Sequence, residues 1–178
     1  MSVSYLKMPE NVLIDETNYS TTYGKFIIQP LERGYGVTLG NSLRRVLISS
    51  IPGAAIIAVK FSEVVHEFST ITGVVEDTAE IILNLKQVRM KLLNKKPDKI
   101  IISFNGAGEF KAADIQKHSS DLEILNPDLH IATLNKNAKF SVELTIGRGK
   151  GYVPSTENKL PEFTIGTIPI DAIYTPIR

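Results

Sequence analysis

Two glycine-rich segments are the first places in this sequence where chemistry could occur. Gly34-Tyr35-Gly36-Val37-Thr38-Leu39-Gly40 leads into a predicted helix, whose first N–H groups could bind an anion. Gly147-Arg148-Gly149-Lys150-Gly151-Tyr152 carries two cations that could touch phosphate. Neither segment has the glycine spacing of a dinucleotide fingerprint or a phosphate loop. A tight turn for the first segment and a bent basic loop or bulge after a strand for the second are therefore the favoured interpretations. Nucleotide or RNA binding by these loops stays as the alternative.

Residues that could hold a metal or catalyse a reaction do not form a complete motif. The histidines are His66, His118 and His130, and none has a second histidine or a cysteine at ligand spacing. His66-Glu67 is predicted to lie in a strand, where the two side chains would point to opposite faces. The acids Glu76, Asp77 and Glu80 could be paired acids or magnesium ligands, but they fit better as the negative first turn of a helix. We predict no catalytic residue, no metal and no cofactor.

The elements that must position these residues are mostly strands. Two-residue alternation and turn punctuation predict the strands Tyr23–Ile28, Ala55–Phe61, Val88–Leu92, Lys99–Phe104, Asp121–Leu125, Leu129–Leu134, Lys139–Ile146 and Thr164–Ile170. Two helices are predicted, from about Thr38 to Ser50 and from about Val75 to Lys86. Short connections favour antiparallel pairing, so the predicted class is α+β, mostly antiparallel strands with two main helices.

The first predicted helix is amphipathic in an unusual way. Leu39, Leu43 and Val46 share one face and can form a core stripe. The opposite face carries Ile48 between Arg44 and Arg45, and arginine with an apolar anchor is typical of protein contact surfaces. Packing of Ile48 on the chain's own strands, with both arginines in water, is an equally good interpretation of this pattern alone.

Composition limits the function classes further. The 178 residues include no cysteine and carry a formal charge of +1, so disulfides, thiol catalysis and a general attraction to nucleic acid are excluded. No apolar run is long enough to cross a bilayer and the N-terminus has no signal-peptide pattern, so we expect a cytoplasmic protein without membrane contact. The change from helix to strands at Pro52-Gly53 is the best candidate for a domain boundary.

Several motifs, in order along the chain, closely resemble the bacterial and plastid RNA polymerase α subunit family. These are Leu31-Glu32-Arg33-Gly34-Tyr35-Gly36-Val37-Thr38-Leu39-Gly40-Asn41-Ser42-Leu43-Arg44-Arg45-Val46-Leu47, His66-Glu67-Phe68-Ser69-Thr70, Gly73-Val74-Val75-Glu76-Asp77, Ile82-Leu83-Asn84-Leu85-Lys86, Gly147–Pro154 and Pro169–Ala172. The resemblance implies a non-catalytic subunit that dimerises and scaffolds assembly of the β and β′ subunits. Those two subunits carry the nucleotidyl-transfer chemistry.

The resemblance also implies a domain plan. Residues 1–52 would be the N-terminal part of a dimerisation domain, 53–170 a β-rich insert domain, and 171–178 the start of the return to the dimerisation domain. Compared with the family pattern, the sequence stops at Arg178, after Tyr174-Thr175-Pro176 and before the strand and long helix that complete the dimerisation domain. The resemblance therefore implies a fragment that lacks the C-terminal domain, through which the family touches promoter DNA.

Site residues are carried over by matching motifs. The β contacts implied are Arg44, Arg45, Ile48, Glu67, Ser69, Thr70, Gly73, Glu76 and Asp77. The β′ contacts implied are Lys86 and Ile170. The residues implied to face a second α protomer are Tyr35, Leu39, Leu43 and Val46.

Overall fold

A computed structural model describes residues 9–93, 98–158, 161 and 163–177 of the chain. In this part of the chain the α-helices are α1 (Tyr35–Ser50), α2 (Thr78–Leu85) and α3 (Ala112–Lys117), and Glu16–Asn18 form a 3-10 helix. The strands are β1 (Asn11–Asp15), β2 (Lys25–Gln29), β3 (Pro52–Phe61), β4 (Met90–Leu92), β5 (Asp98–Asn105), β6 (Gly108–Lys111), β7 (Leu122–Ile124), β8 (His130–Leu134), β9 (Lys139–Lys150), β10 (Tyr152–Val153), β11 (Thr167–Pro169) and β12 (Ala172–Ile173). All of the strand pairs are antiparallel. The predicted α+β class is therefore confirmed.

The chain divides into two units, Met1–Val46 and Leu47–Arg178. In the described part of the first unit, β1 and β2 form a hairpin with Asn11 opposite Gln29, followed by most of α1. None of its described residues is buried, although the hairpin carries apolar side chains such as Leu13 and Phe26, which are 53% and 59% exposed. The described part of the first unit therefore carries apolar side chains but has no core in which they are buried.

The second unit is built on a sheet with the strand order β5-β9-β3-β4-β7, to which β11 adds by pairing with β3. The central pair is β3 with β9, running from Pro52 opposite Lys150 to Phe61 opposite Val142. A register shift lies between Ile56 and Ala58. Such a bulge bends the strand and increases its local twist.

Strand β3 is covered on both of its faces. The larger core contains Ile56 and Val59 of β3, together with residues of α2, α3 and the β6–β8 pair. A smaller cluster contains Ala55 and Ile57 of β3 with Ala172 and Tyr174. Because neighbouring strand residues point to opposite sides, these two clusters lie on opposite faces of β3.

The unit boundary lies inside α1, whereas the sequence pattern suggested Pro52-Gly53. The residues after Ile170 pack within the second unit, where Ala172 and Tyr174 are buried. The three-part domain plan of 1–52, 53–170 and 171–178 stays a prediction.

The two predicted helices exist with shifted beginnings. Helix α1 starts at Tyr35, ahead of the predicted beginning near Thr38, so Gly36 lies within the helix. Helix α2 starts at Thr78, because the Asp77 side chain accepts the N–H of Glu80 at 2.7 Å and caps it. The six-residue helix α3 was not predicted; Asp114 accepts the N–H of Lys111 at 2.9 Å at its beginning. None of the described helices is long and apolar enough to cross a membrane.

Candidate functional site

The segment between β3 and α2, residues 62–77, is the site that the sequence motifs single out, and we call it the acidic loop. Its His66-Glu67 pair lies in a turn, so the predicted strand there is wrong. The His66 ring lies 2.9 Å from Ser69 Oγ. The carbonyl of Ser69 accepts the N–H of Thr78 at 3.1 Å and its hydroxyl at 2.6 Å. These hydrogen bonds tie this part of the loop to the first turn of α2.

A second set of contacts ties the end of the acidic loop to β8. Glu76 accepts the N–H of Thr133 at 2.7 Å and its hydroxyl at 3.0 Å. His130 Nε2 lies 3.0 Å from Glu76 and its Nδ1 lies 3.0 Å from Glu109. Burial disfavours ionisation of Glu76, but hydrogen bonds from Thr133 and His130 outweigh burial and hold its pKa below the usual value. The hydrogen bond to Glu76 raises the pKa of His130.

Glycine is required at one position of the acidic loop. Gly73 has a φ of +80°, and a Cβ there would lie 2.5 Å from the backbone nitrogen of Ala138. Its carbonyl accepts the N–H of Asn135 at 2.8 Å. The loop is therefore held by backbone contacts at Gly73 as well as by side chains at its ends.

The predicted β contacts in this loop differ in their accessibility. Glu67, Thr70 and Asp77 are exposed. The Glu76 side chain is only 11% exposed, and its carboxylate is hydrogen-bonded to residues of β8. A contact through Glu76 would compete with hydrogen bonds inside the chain. The geometry indicates that Glu76 positions the loop.

Sequence reasoning missed the most exposed aromatic side chain of the loop. Phe68 is 84% exposed, and Val65 and Val75 are 67% and 64% exposed. No local signal marked this exposure, because an apolar residue between Glu67 and Ser69 fits the alternation of a half-buried strand.

Helix α1 presents the remaining predicted β contacts and the predicted dimer contacts. Arg44 and Arg45 are exposed, and Ile48 is 41% exposed. No residue of α1 is buried. Among the predicted dimer residues, Leu39 is half-buried. Tyr35 and Leu43 are each 43% exposed, and Val46 is 54% exposed.

The predicted β′ contacts lie at the end of α2 and before β12. Lys86 Nζ pairs with Asp171 at 2.9 Å, and Asp171 also accepts the N–H of Ser155 at 2.8 Å. These donors, Lys86 first, lower the pKa of Asp171 to about 2. The Ile170 side chain is 1% exposed, its N–H donates to Ile57, and its carbonyl accepts from Asn158. The Ile170 side chain is therefore part of the core of this chain, and a β′ contact at this position stays a prediction.

The second glycine-rich segment is not a loop, and that prediction is wrong. Gly147 to Lys150 belong to β9. A Cβ at Gly149 would lie 2.5 Å from the Tyr174 ring, and a Cβ at Gly147 would lie 3.0 Å from the Tyr174 hydroxyl. A Cβ at Gly53 would overlap the Tyr174 carbonyl. The glycines make room for Tyr174, and this explains them without a nucleotide.

The acids and histidines do not assemble into a metal centre in the part of the chain that the structure describes. No group of three or more His, Asp or Glu side chains there could hold a metal ion. Asp77 caps α2, and Glu76 turns towards β8.

These features define an α+β protein whose distinctive surfaces are suited to docking other proteins. A family model described as the RNA polymerase Rpb3/RpoA insert domain matches residues 57–175. The chain is 50% identical to the DNA-directed RNA polymerase subunit alpha of Chloroherpeton thalassium over 176 residues, which are 99% of this chain and 54% of the relative. It is 53% identical over 169 residues to the subunit of the same name from Symbiobacterium thermophilum, covering 95% of this chain and 52% of the relative.

The chain belongs to the RNA polymerase α subunit family. It spans about half the length of the curated relatives it matches. The family resemblance seen in the sequence motifs is thereby confirmed.

Proposed function

We propose that this chain is a non-catalytic part of a DNA-directed RNA polymerase that pairs with a second α protomer and recruits the β and β′ subunits in the cytoplasm. Residues 1–52 would contribute to dimerisation and 53–170 would form the insert domain, with 171–178 returning towards the dimerisation domain. Support for the insert assignment comes from the family match over 57–175.

The observation that carries the proposal is that α1 has no buried residue although it is apolar on one side and carries arginines on the other. The stripe containing Leu39, Leu43 and Val46 suits a second protomer, since an apolar helix face is stabilised by burial. The face with Arg44, Arg45 and Ile48 suits a larger subunit, because arginine beside an apolar anchor is enriched in protein interfaces.

Mixing the chain with its cognate β subunit in size-exclusion chromatography with light scattering tests the proposal. We expect a stoichiometric complex that Arg45→Glu weakens by roughly 30-fold or more, because reversing one member of a desolvated charge pair costs about 2–5 kcal/mol. Arg148→Glu is the matched control, since Arg148 is also an exposed arginine but lies on β9.

Circular dichroism of each variant checks that the fold is intact. Equal loss of β binding in Arg45→Glu and Arg148→Glu would indicate a general charge effect. Unchanged binding by Arg45→Glu would mean that the assignment of Arg45 to the β contact is wrong.

A further inference from the structure

We propose that Phe68, presented by the acidic loop, is the apolar anchor that inserts into a pocket on the β subunit, and that this pocket has a basic rim. The inference rests on the proposed function and adds to it the residue that carries the binding free energy at this site. The anchor is then an aromatic ring and not one of the carboxylates that the motifs suggested.

Phe68 is exposed to solvent although it is a large apolar residue. Its side chain is 84% exposed, which leaves almost all of a large apolar surface in water. Aromatic residues dominate the binding energy of protein interfaces when a partner buries them in a fitted pocket. A ring that contributes so little to the core of its own chain can be removed without a large effect on folding.

The backbone next to Phe68 is held in place before any partner binds. Ser69, the next residue, accepts two hydrogen bonds from Thr78, and Thr78 is fully buried. The backbone at Thr70 lies opposite Asp77 as an isolated β-bridge. Because the backbone is already ordered, binding through Phe68 costs little conformational entropy.

The chemistry of the partner follows from charge. From Ser62 to Leu85 the sequence contains no Lys or Arg and has five acidic residues: Glu63, Glu67, Glu76, Asp77 and Glu80. Two of these carboxylates are engaged inside the chain, Glu76 with Thr133 and Asp77 with the N–H of Glu80. The exposed Glu63, Glu67 and Glu80 give this segment of the chain a net negative charge at its surface, which a basic rim would complement.

The roles of the ring and of the acids can be separated by kinetics. Truncating a buried anchor accelerates dissociation, whereas reversing a rim charge slows association and changes its salt dependence. Phe68→Ala should therefore weaken β binding by about 30-fold or more, mainly through the dissociation rate. Glu67→Lys should slow association, with a smaller effect at high salt.

The experiment is surface-based kinetics of the whole chain on immobilised cognate β subunit, with wild type, Phe68→Ala, Phe68→Tyr and Glu67→Lys. Ile101→Ala is the matched control, because Ile101 is 61% exposed but lies on β5. Phe68→Tyr keeps the ring and should retain most of the affinity. Light scattering of the chain alone shows whether Phe68 instead mediates contact with a second copy.

The outcomes distinguish the two proposals. Binding that Arg45→Glu weakens but that Phe68→Ala changes by less than about threefold would overturn the anchor and leave the scaffold function standing. Self-association that Phe68→Ala abolishes, with β binding unchanged, would assign the ring to a second copy and also overturn it. No complex between the wild-type chain and β would overturn both proposals.

Discussion

Placing a methyl group at Gly149 should expel the Tyr174 ring from its site. Gly149 lies on β9 opposite Gly53, and an added Cβ would come within 2.5 to 2.8 Å of three ring atoms of Tyr174. The ring is 7% exposed and packs in the smaller cluster with Ala55, Ile57 and Ala172. Because real Cβ atoms do not approach other heavy atoms so closely, either the ring or the strand must move.

The expected cost follows from the packing that is lost. Removing a buried aromatic side chain costs about 3–5 kcal/mol, and the small size of this cluster favours the lower end, about 3 kcal/mol. Alanine in a strand is about 0.5–1 kcal/mol more favourable than glycine, which offsets part of the loss. Gly149→Ala should therefore lower the free energy of unfolding by about 2 kcal/mol.

Urea unfolding followed by far-UV circular dichroism measures this change. Gly108→Ala is the matched control, because Gly108 also lies in a strand but has no atom within 4 Å of an added Cβ. It should raise the free energy of unfolding by about 0.5–1 kcal/mol, since no clash offsets the gain of replacing glycine in a strand. If the free energy of unfolding falls with urea concentration at the same slope in every variant, the unfolded states are comparable.

A double-mutant cycle decides whether the Tyr174 ring is the cause. In a Tyr174→Ala background the same Gly149→Ala change should be neutral or slightly stabilising, so the coupling should be about 2–3 kcal/mol. The reasoning fails if Gly149→Ala costs the same with and without the ring, or if it costs less than about 0.5 kcal/mol in the wild-type chain.

Two ion pairs of the second unit make stability depend on pH. The pKa of Asp171 is lowered from 3.8 to about 2, so its contribution is present above pH 3.8 and is lost as the pH falls through 2. Asp171→Asn should cost about 1 kcal/mol at pH 7, which is less than the roughly 2.4 kcal/mol equivalent of the pKa shift because solvent screens a partly exposed pair. Most of this difference should be gone in thermal unfolding near pH 2. The pKa of His130 is raised from 6.5, so its contribution is present below pH 6.5 and is lost as the pH rises through the folded-state value. The melting temperature of wild type minus that of His130→Gln should therefore decrease from pH 6 to pH 8, and a flat difference would contradict the role of the His130–Glu76 pair.

Local patterns predicted the long elements well. Alternation over Lys139–Ile146 identified most of β9, and apolar spacing identified α1 and α2 with beginnings about three residues away from the observed ones. The predictions failed for short elements such as β10, β12 and α3. Short elements have few positions in which a period can show, so their prediction is uneven: β4 and β7, of three residues each, fall inside predicted strands. The stability of such elements comes mainly from the surfaces on which they pack.

The sequence by itself determined the α+β class, the family and the two-sided pattern of α1, because these depend on neighbouring residues and on motif order. Only the tertiary structure decided that the glycines of β9 make room for Tyr174, that Glu76 is engaged by Thr133 while Phe68 is left in water, and that Ile170 is buried. Gly149 and Tyr174, like Glu76 and Thr133, are far apart in sequence and meet only after the sheet has formed. No local pattern encodes such a contact, because its partners are chosen by strand register and packing.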